Sequence, residues 1–199
     1  MTTKKYDQAY FDRWYHDRHT RVNTRAEVRR KVALAIASCE YFLRRPLRTV
    51  LDVGCGEGAW FPHLRALRRN VEYTGFDSSD YVVERFGKSR NIRKATFGEL
   101  ASKTRGVYDL VICSDVMHYI PTNELRAGVR AIADATDGLA FLEVLTSEDD
   151  ISGDLDAFIR RPASWYRKLF ASAGFTFVGP YCWLSPSFKN AVAELEQEG

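Results

Sequence analysis

The sequence has few features that would take it out of ordinary globular chemistry. It has four cysteines, Cys39, Cys55, Cys113 and Cys182, and no two are spaced as CxxC, so neither a zinc site nor a redox motif is indicated. Cys39, Cys55 and Cys113 sit among apolar or small neighbours, the setting of reduced, buried thiols. No apolar run approaches the ~20 residues that a membrane-spanning helix needs. The opening "MTTKKYDQAYFDRWY" lacks the apolar stretch of a secretory signal, so a cytoplasmic protein with no membrane partner is expected. Internal repeats and low-complexity tracts are missing as well. The charge excess is small: the net value is +3, with 28% charged and 45% hydrophobic residues, which excludes a disordered or strongly polyanionic chain.

The 199 residues suit one domain with a sizeable core: a helical arm over 1–45 followed by a core over 46–199. Basic residues crowd the stretch from Arg13 to Lys31, together with Trp14, Tyr15, His16 and His19. Such an arm attracts anionic substrates or nucleic acid, or else it is a helix with a solvated charged face. "RAEVRRKVALAIASCEYFLRR" sets Val28, Val32, Ala35, Ile36, Cys39, Phe42 and Leu43 on one helical face, ended by Pro46. Beyond it, strands alternate with helices. "RTVLDVG", "VEYTGFD", "IRKATF", "YDLVICSD" and "GLAFLEVL" read as strands, and "AWFPHLRALRR", "SSDYVVERFGK" and "TNELRAGVRAIADAT" as the helices between them. Crossovers of that length join parallel strands, so the expected fold is α/β: an open, mostly parallel, doubly wound sheet. After a polar loop, "TSEDDISGDLD", a helix over "PASWYRKLFASAG" stops at Gly174. "FTFVGPYCWLS" then supplies two strands turning at Gly179-Pro180, and a terminal helix is expected over "FKNAVAELEQE".

The first strand runs into "GCGEGA". Gly54, Gly56 and Gly58 give a backbone free to take left-handed angles and to let ligand atoms approach the main chain. A helix start behind them presents unpaired N–H groups. The pattern fits two templates, GxGxG and the dinucleotide form GxGxxA ending at Ala59. Asp52, two residues before the first glycine, puts a carboxylate beneath the turn, where it can accept from loop N–H groups. A negative charge there suits a cationic ligand better than a pyrophosphate.

On these residues the chain resembles the class I S-adenosylmethionine-dependent methyltransferases, a Rossmann-like family. "LDVGCGEG" resembles their first motif. Asp77, closing "YTGFD" 23 positions after Gly54, resembles the acid that holds the ribose hydroxyls. "YDLVICSDVMHYI" resembles the fourth-strand segment and "LFASAGFTFV" the late helix–strand passage. The resemblance covers roughly Val50 to Val178. It implies S-adenosyl-L-methionine as cofactor, leaving S-adenosyl-L-homocysteine. It also implies a cofactor site built from Asp52, Gly54, Cys55, Gly56, Gly58, Asp77, Ser78, Thr96, Phe97, Ser114 and Asp115. Thr96 stands where the family commonly has an acid beside the adenine. There Thr96 offers a hydroxyl, and Phe97 offers a ring to pack on the base.

Methyl transfer from a sulfonium is an in-line displacement, for which alignment alone supplies several kcal/mol, up to ~7–11 in model reactions. No metal is called for. His118 is the general-base candidate, since an ordinary imidazole pKa of ~6.5 suits proton removal; otherwise its ring packs on the cofactor or caps the turn. Asp115 is read as orienting backbone or cofactor. Glu143, at the end of the fifth strand, binds an acceptor amine or hydroxyl or makes a structural hydrogen bond. Tyr6, Tyr10, Phe11, Trp14 and Tyr15 in the arm, with Trp165, Tyr166, Arg160 and Arg161 after the fifth strand, are candidates for the lid and the acceptor pocket. The sequence has no Asn/Asp-Pro-Pro-aromatic run, no Pro-Cys motif and no catechol-type Asp…Asp-Asn set, so three nucleophile classes lose support. An oxygen or nitrogen of a small molecule is the expected acceptor. RNA or protein is the alternative, and an NAD-dependent oxidoreductase or a non-catalytic nucleic-acid-binding module stands further off.

Overall fold

The structure is a computed structural model that describes residues 4–151, 153–188, 191 and 192. The expected terminal helix lies almost wholly outside them. Seven strands, β1 (Thr49–Val53), β2 (Glu72–Asp77), β3 (Ile92–Lys94), β4 (Tyr108–Ser114), β5 (Thr136–Glu143), β6 (Thr176–Gly179) and β7 (Cys182–Leu184), form one sheet in the order β3-β2-β1-β4-β5-β7-β6. β1 to β5 run parallel; β7 pairs antiparallel with β5, and β6 with β7. The mostly parallel, doubly wound sheet with an antiparallel C-terminal end is therefore as the sequence implies.

Side-chain alternation splits the interior into two cores, one on each face of the sheet. Val50, Leu110, Ile112, Leu139 and Phe141 face α2 (Arg25–Leu43), α3 (Phe61–Leu67) and α4 (Asp80–Arg90). Leu51, Val53, Val111, Cys113, Ala140 and Leu142 face α5 (Leu100–Lys103), α6 (Thr122–Ala135) and α7 (Ala163–Ser172). Cover on both faces is why the strands read as continuous apolar runs. Burying each such side chain contributes about 1.5–3 kcal/mol.

Local differences have local causes. The arm is not one helix. A short turn, α1 (Gln8–Phe11), runs into a π-helical turn over Asp12–His16, and α2 starts afresh at Arg25 behind a reciprocal cap between Thr24 and Glu27. α2 ends at Leu43 with Arg44 left-handed, ahead of Pro46. The third strand stops at Lys94, because Thr96 caps a 3₁₀ turn with Glu99 and takes the chain off the sheet edge. β5 begins at Thr136, directly after α6, where the Thr136 hydroxyl donates to the Ile132 carbonyl at 2.6 Å. Ser79 caps α4, its Oγ accepting from Val82 N–H.

The strand order reverses between β1 and β4, so their following segments leave in opposite directions and open a crevice at the strands' carboxyl ends. The glycine loop, Asp77 and the Ser114–Asp115 turn all lie at that end.

Candidate active site

The glycine loop is bent as its sequence requires. Gly54, Gly56 and Gly58 have φ of 67°, 52° and 77°, a region that other residues enter only with strain. Two N–H groups, of Gly54 and Cys55, donate to Phe76 O at 2.8 and 3.1 Å and fix the loop to β2. A Cβ on Gly54 would lie 2.5 Å from Val116, and one on Gly56 would lie 3.2 Å from the Phe11 ring. Gly58 turns away, toward Arg90, Ile92 and Tyr73.

Asp77 ends β2 at the floor of the crevice. Its Oδ2 accepts from Gly56 N–H at 2.8 Å and its Oδ1 from Ser79 N–H at 2.9 Å. Burial raises its pKa, and these backbone donors hold it back. The loop N–H expected on Asp52 therefore goes to Asp77. Asp52 instead accepts from the buried hydroxyl of Tyr73 at 2.8 Å, which passes under Gly75 because that residue has no side chain. Burial pushes Asp52 up to about 7, the Tyr73 hydrogen bond opposes the shift, and Asp77 adds to it.

Two cavities meet over this floor. The first, about 110 Å³, is walled by Asp77, Ser78, Ala95, Thr96, Phe97 and Leu100 on one side and by Tyr6, Tyr10 and Phe11 of the arm on the other. The second, about 580 Å³, runs past Asp52, Cys55, Trp60 and Ser114 to Arg25 and His63. Tyr15, Gly54 and Asp115 border both. The arm is tied down at three points. Lys4 pairs with buried Asp154, which also takes the Tyr119 hydroxyl on its carbonyl at 2.8 Å; Ser79 Oγ donates to Tyr6 O; and His16 contacts Glu57 at 2.9 Å.

The remaining candidates divide. His118 is completely buried and lines neither cavity; its Nδ1 accepts from Leu145 N–H at 3.4 Å, and its ring stacks with Tyr119 and Phe158. Burial, together with Lys4 and Arg161, pulls its pKa down to about 4, so it is a weak base at neutral pH. Glu143 is taken up by Lys31 at 2.7 Å and by the Ser114 hydroxyl. Thr96 lines the first cavity, but its hydroxyl is committed to Glu99 at 2.9 Å. Phe97 lines it, with its ring against Gly128 of α6. Trp14 carries Arg13 on its ring and borders neither cavity. Trp165 and Tyr166 belong to α7, away from both cavities: Trp165 stacks with Arg126 and Arg161, and Tyr166 is core. Arg161 is buried and pins the 117–122 turn through Ile120 O at 2.7 Å and Thr122 Oγ1 at 3.1 Å. Val116 and Tyr119, inside the fourth-strand motif, line the first cavity, whereas Lys4, Lys31, Tyr73 and Asp154 have no sequence signal and meet the site through contacts distant along the chain.

The crevice suits a nucleoside sulfonium. Asp77 spends two lone-pair sites on backbone donors and has others left to accept from hydroxyl groups. Ala95, Phe97 and Leu100 form an apolar slot beside it, and the glycine loop leaves room where a Cβ would intrude.

Comparison with known proteins agrees. A family described as methyltransferase domain matches residues 18–183. An 81-residue stretch is 32% identical to the ubiquinone biosynthesis O-methyltransferase of Nitrosomonas europaea; it is 37% of this chain and spans about a third, 34%, of that relative. The magnesium protoporphyrin IX methyltransferase ChlM from Synechocystis PCC 6803, solved with S-adenosylhomocysteine, superposes with a TM-score of 0.59 at 21% identity, covering 87% of each chain. The plantazolicin methyltransferase BamL superposes with a TM-score of 0.61 at 15% identity, covering 77% of this chain and 66% of that one. At such identities these two speak for the fold. The chain belongs to the methyltransferase-domain family. That membership favours the GxGxG reading of the glycine loop over the GxGxxA form and the oxidoreductase it implied.

Proposed function

We propose that this enzyme moves the methyl group of S-adenosylmethionine to an oxygen or nitrogen of a small-molecule acceptor in the cytoplasm. The observation that carries the reading is the second cavity. Its volume of about 580 Å³ falls in the ~300–1,000 Å³ range of small-molecule pockets, and it joins the nucleoside crevice only across Tyr15, Gly54 and Asp115. When bound, the cofactor supplies an electrophilic methyl group. The chain's own residues do the rest. Asp77 holds the ribose, and Ala95, Phe97 and Leu100 flank the adenine. Tyr6, Tyr10, Phe11 and Tyr15 cover the crevice and exclude water.

Tyr6, Tyr10 and Phe11 of the arm cover the crevice, and its basic residues Arg25 and Lys31 flank the second cavity. The names of the relatives, an O-methyltransferase of ubiquinone biosynthesis and a porphyrin methyltransferase, support a small acceptor. Four free, buried thiols are in keeping with a reducing compartment. The test is radiolabel transfer from methyl-labelled S-adenosylmethionine into fractionated cell extract. Label in the low-molecular-mass fraction is expected; label confined to RNA or protein would contradict the reading.

A further inference from the structure

Asp115 is the one acidic side chain on the partition between the two cavities; its partners there are a glycine and a tyrosine. It follows β4 directly and has φ of 64°, left-handed for a residue with a side chain. Its N–H is held by Glu143 O at 3.1 Å. Aspartate tolerates that conformation better than most residues, at a cost of about 1–3 kcal/mol. The bend takes its carboxyl group out of the strand's alternation and onto the partition.

The surroundings leave this carboxyl group available. The neighbouring acids are already matched: Glu143 of β5 by Lys31 of α2 and the Ser114 hydroxyl, and Asp154 of the following loop by Lys4 of the arm. Tyr15 of the arm and Tyr119 complete the titratable groups around it, both pushed up by burial first and by Asp115 second. On its own turn, His118 Nε2 lies 3.5 Å from Asp115 Oδ1 and has no hydrogen-bond partner among the described residues. Because His118 Nδ1 accepts from Leu145, the ring proton resides on Nε2 and faces Asp115.

We propose, on the reading of the crevice as a methyl-transfer site, that Asp115 takes the acceptor's proton and that its ionisation follows the charge of the cofactor beside it. The acceptor's O–H or N–H bond breaks and its proton passes to Asp115 Oδ. The freed pair bonds the methyl carbon, and the C–S pair returns to sulfur. One carboxylate and one sulfonium become one carboxylic acid and one thioether, so no net charge crosses the partition. Burial, with Glu143 adding and Lys31 opposing, pushes Asp115 up to about 7, so it is part-protonated until a cation arrives.

S-adenosylmethionine and S-adenosylhomocysteine differ in that one charge, which gives a test without any acceptor. Isothermal titration of the full chain at about pH 6.5, in buffers of different ionisation heat, counts the protons released on binding. Wild type should release roughly half a proton or more with S-adenosylmethionine and close to none with S-adenosylhomocysteine. Asp115→Asn should abolish the release, counted per molecule of S-adenosylmethionine bound. Equal release with both ligands in the wild type, which needs no variant, would overturn the proposal. So would release that survives Asp115→Asn and disappears in Asp52→Asn. If neither ligand binds the wild type, the reading of the crevice fails, and the inference fails with it.

Discussion

Asp77 shows how much one carboxylate does at this site. It closes β2, shapes the glycine loop through Gly56 N–H and keeps acceptor capacity for a ligand. Hydrogen bonds to a charged group contribute about 1.5–3 kcal/mol each, so Asp77→Ala should weaken S-adenosylhomocysteine binding by about 10–100-fold or more, measured by titration calorimetry alongside circular dichroism. This residue was legible because its type, its strand end and its distance from Gly54 follow from one crossover. Asp52 was legible as a buried acid but not in its bonding, since nothing in "LDVG" shows that Tyr73 reaches it beneath Gly75. His118 misled for the same reason: residue type suggests a base, while burial and two neighbouring cations, which only the fold assembles, remove the basicity. His16 titrates in a useful range. Hydrogen bonds to Asp12 and Glu57 raise its pKa, so its contribution to arm docking is complete below the ordinary imidazole value and is lost as pH rises through the raised one. The hydrogen-exchange protection factors of residues 6–16, corrected for the intrinsic rise of exchange with pH, should therefore fall as pH increases across that window in wild type and stay flat in His16→Gln.

At the scale of elements, the doubly buried strands were readable from their unbroken apolar runs, and their parallel pairing from the helical crossovers between them. Element ends were less readable, because Thr96 with Glu99 and Thr136 with Ile132 set them through local side-chain bonds that compete with the ladder. α6 packs against the crevice wall where Gly128 receives the Phe97 ring; a Cβ there would lie 2.0 Å from that ring. Gly128→Val should cost about 1–3 kcal/mol in urea unfolding and also weaken cofactor binding, since Phe97 has to leave the wall. The link between α2 and β1 is stapled to β4 by Asp109, which accepts two bonds from Arg45, at 2.7 and 2.8 Å, and the N–H groups of Arg48 and Thr49. Burial alone would raise the pKa of Asp109, but the Arg45 bonds and the backbone donors outweigh it and hold it low. This contribution is present above the ordinary carboxylate value and is lost as pH falls through the lowered one. Asp109→Ala should reduce stability by about 1–3 kcal/mol in the same assay, because it leaves the Arg48 and Thr49 N–H groups without their acceptor while Arg45, a third exposed, turns to solvent.

Across the whole molecule, the arm completes the site that the sheet only begins. Phe11 sits on Gly56, and Lys4, Tyr6 and His16 fasten the arm to segments about 40 to 150 positions away, pairings that no local pattern encodes. The arm narrows the nucleoside side to about 110 Å³, below the ~300 Å³ at which ligand pockets usually begin. Removing residues 1–20 should slow methyl transfer far more than it lowers the melting temperature, because most of the core lies in the sheet and its helices. The most direct measurement for the account as a whole is a crystal structure grown with S-adenosylhomocysteine. The predicted result has the ribose on Asp77, the adenine between Ala95, Phe97 and Leu100, and the sulfur at the Gly54–Asp115 partition. A nucleoside bound elsewhere, or an empty crevice at saturating ligand, would contradict the account.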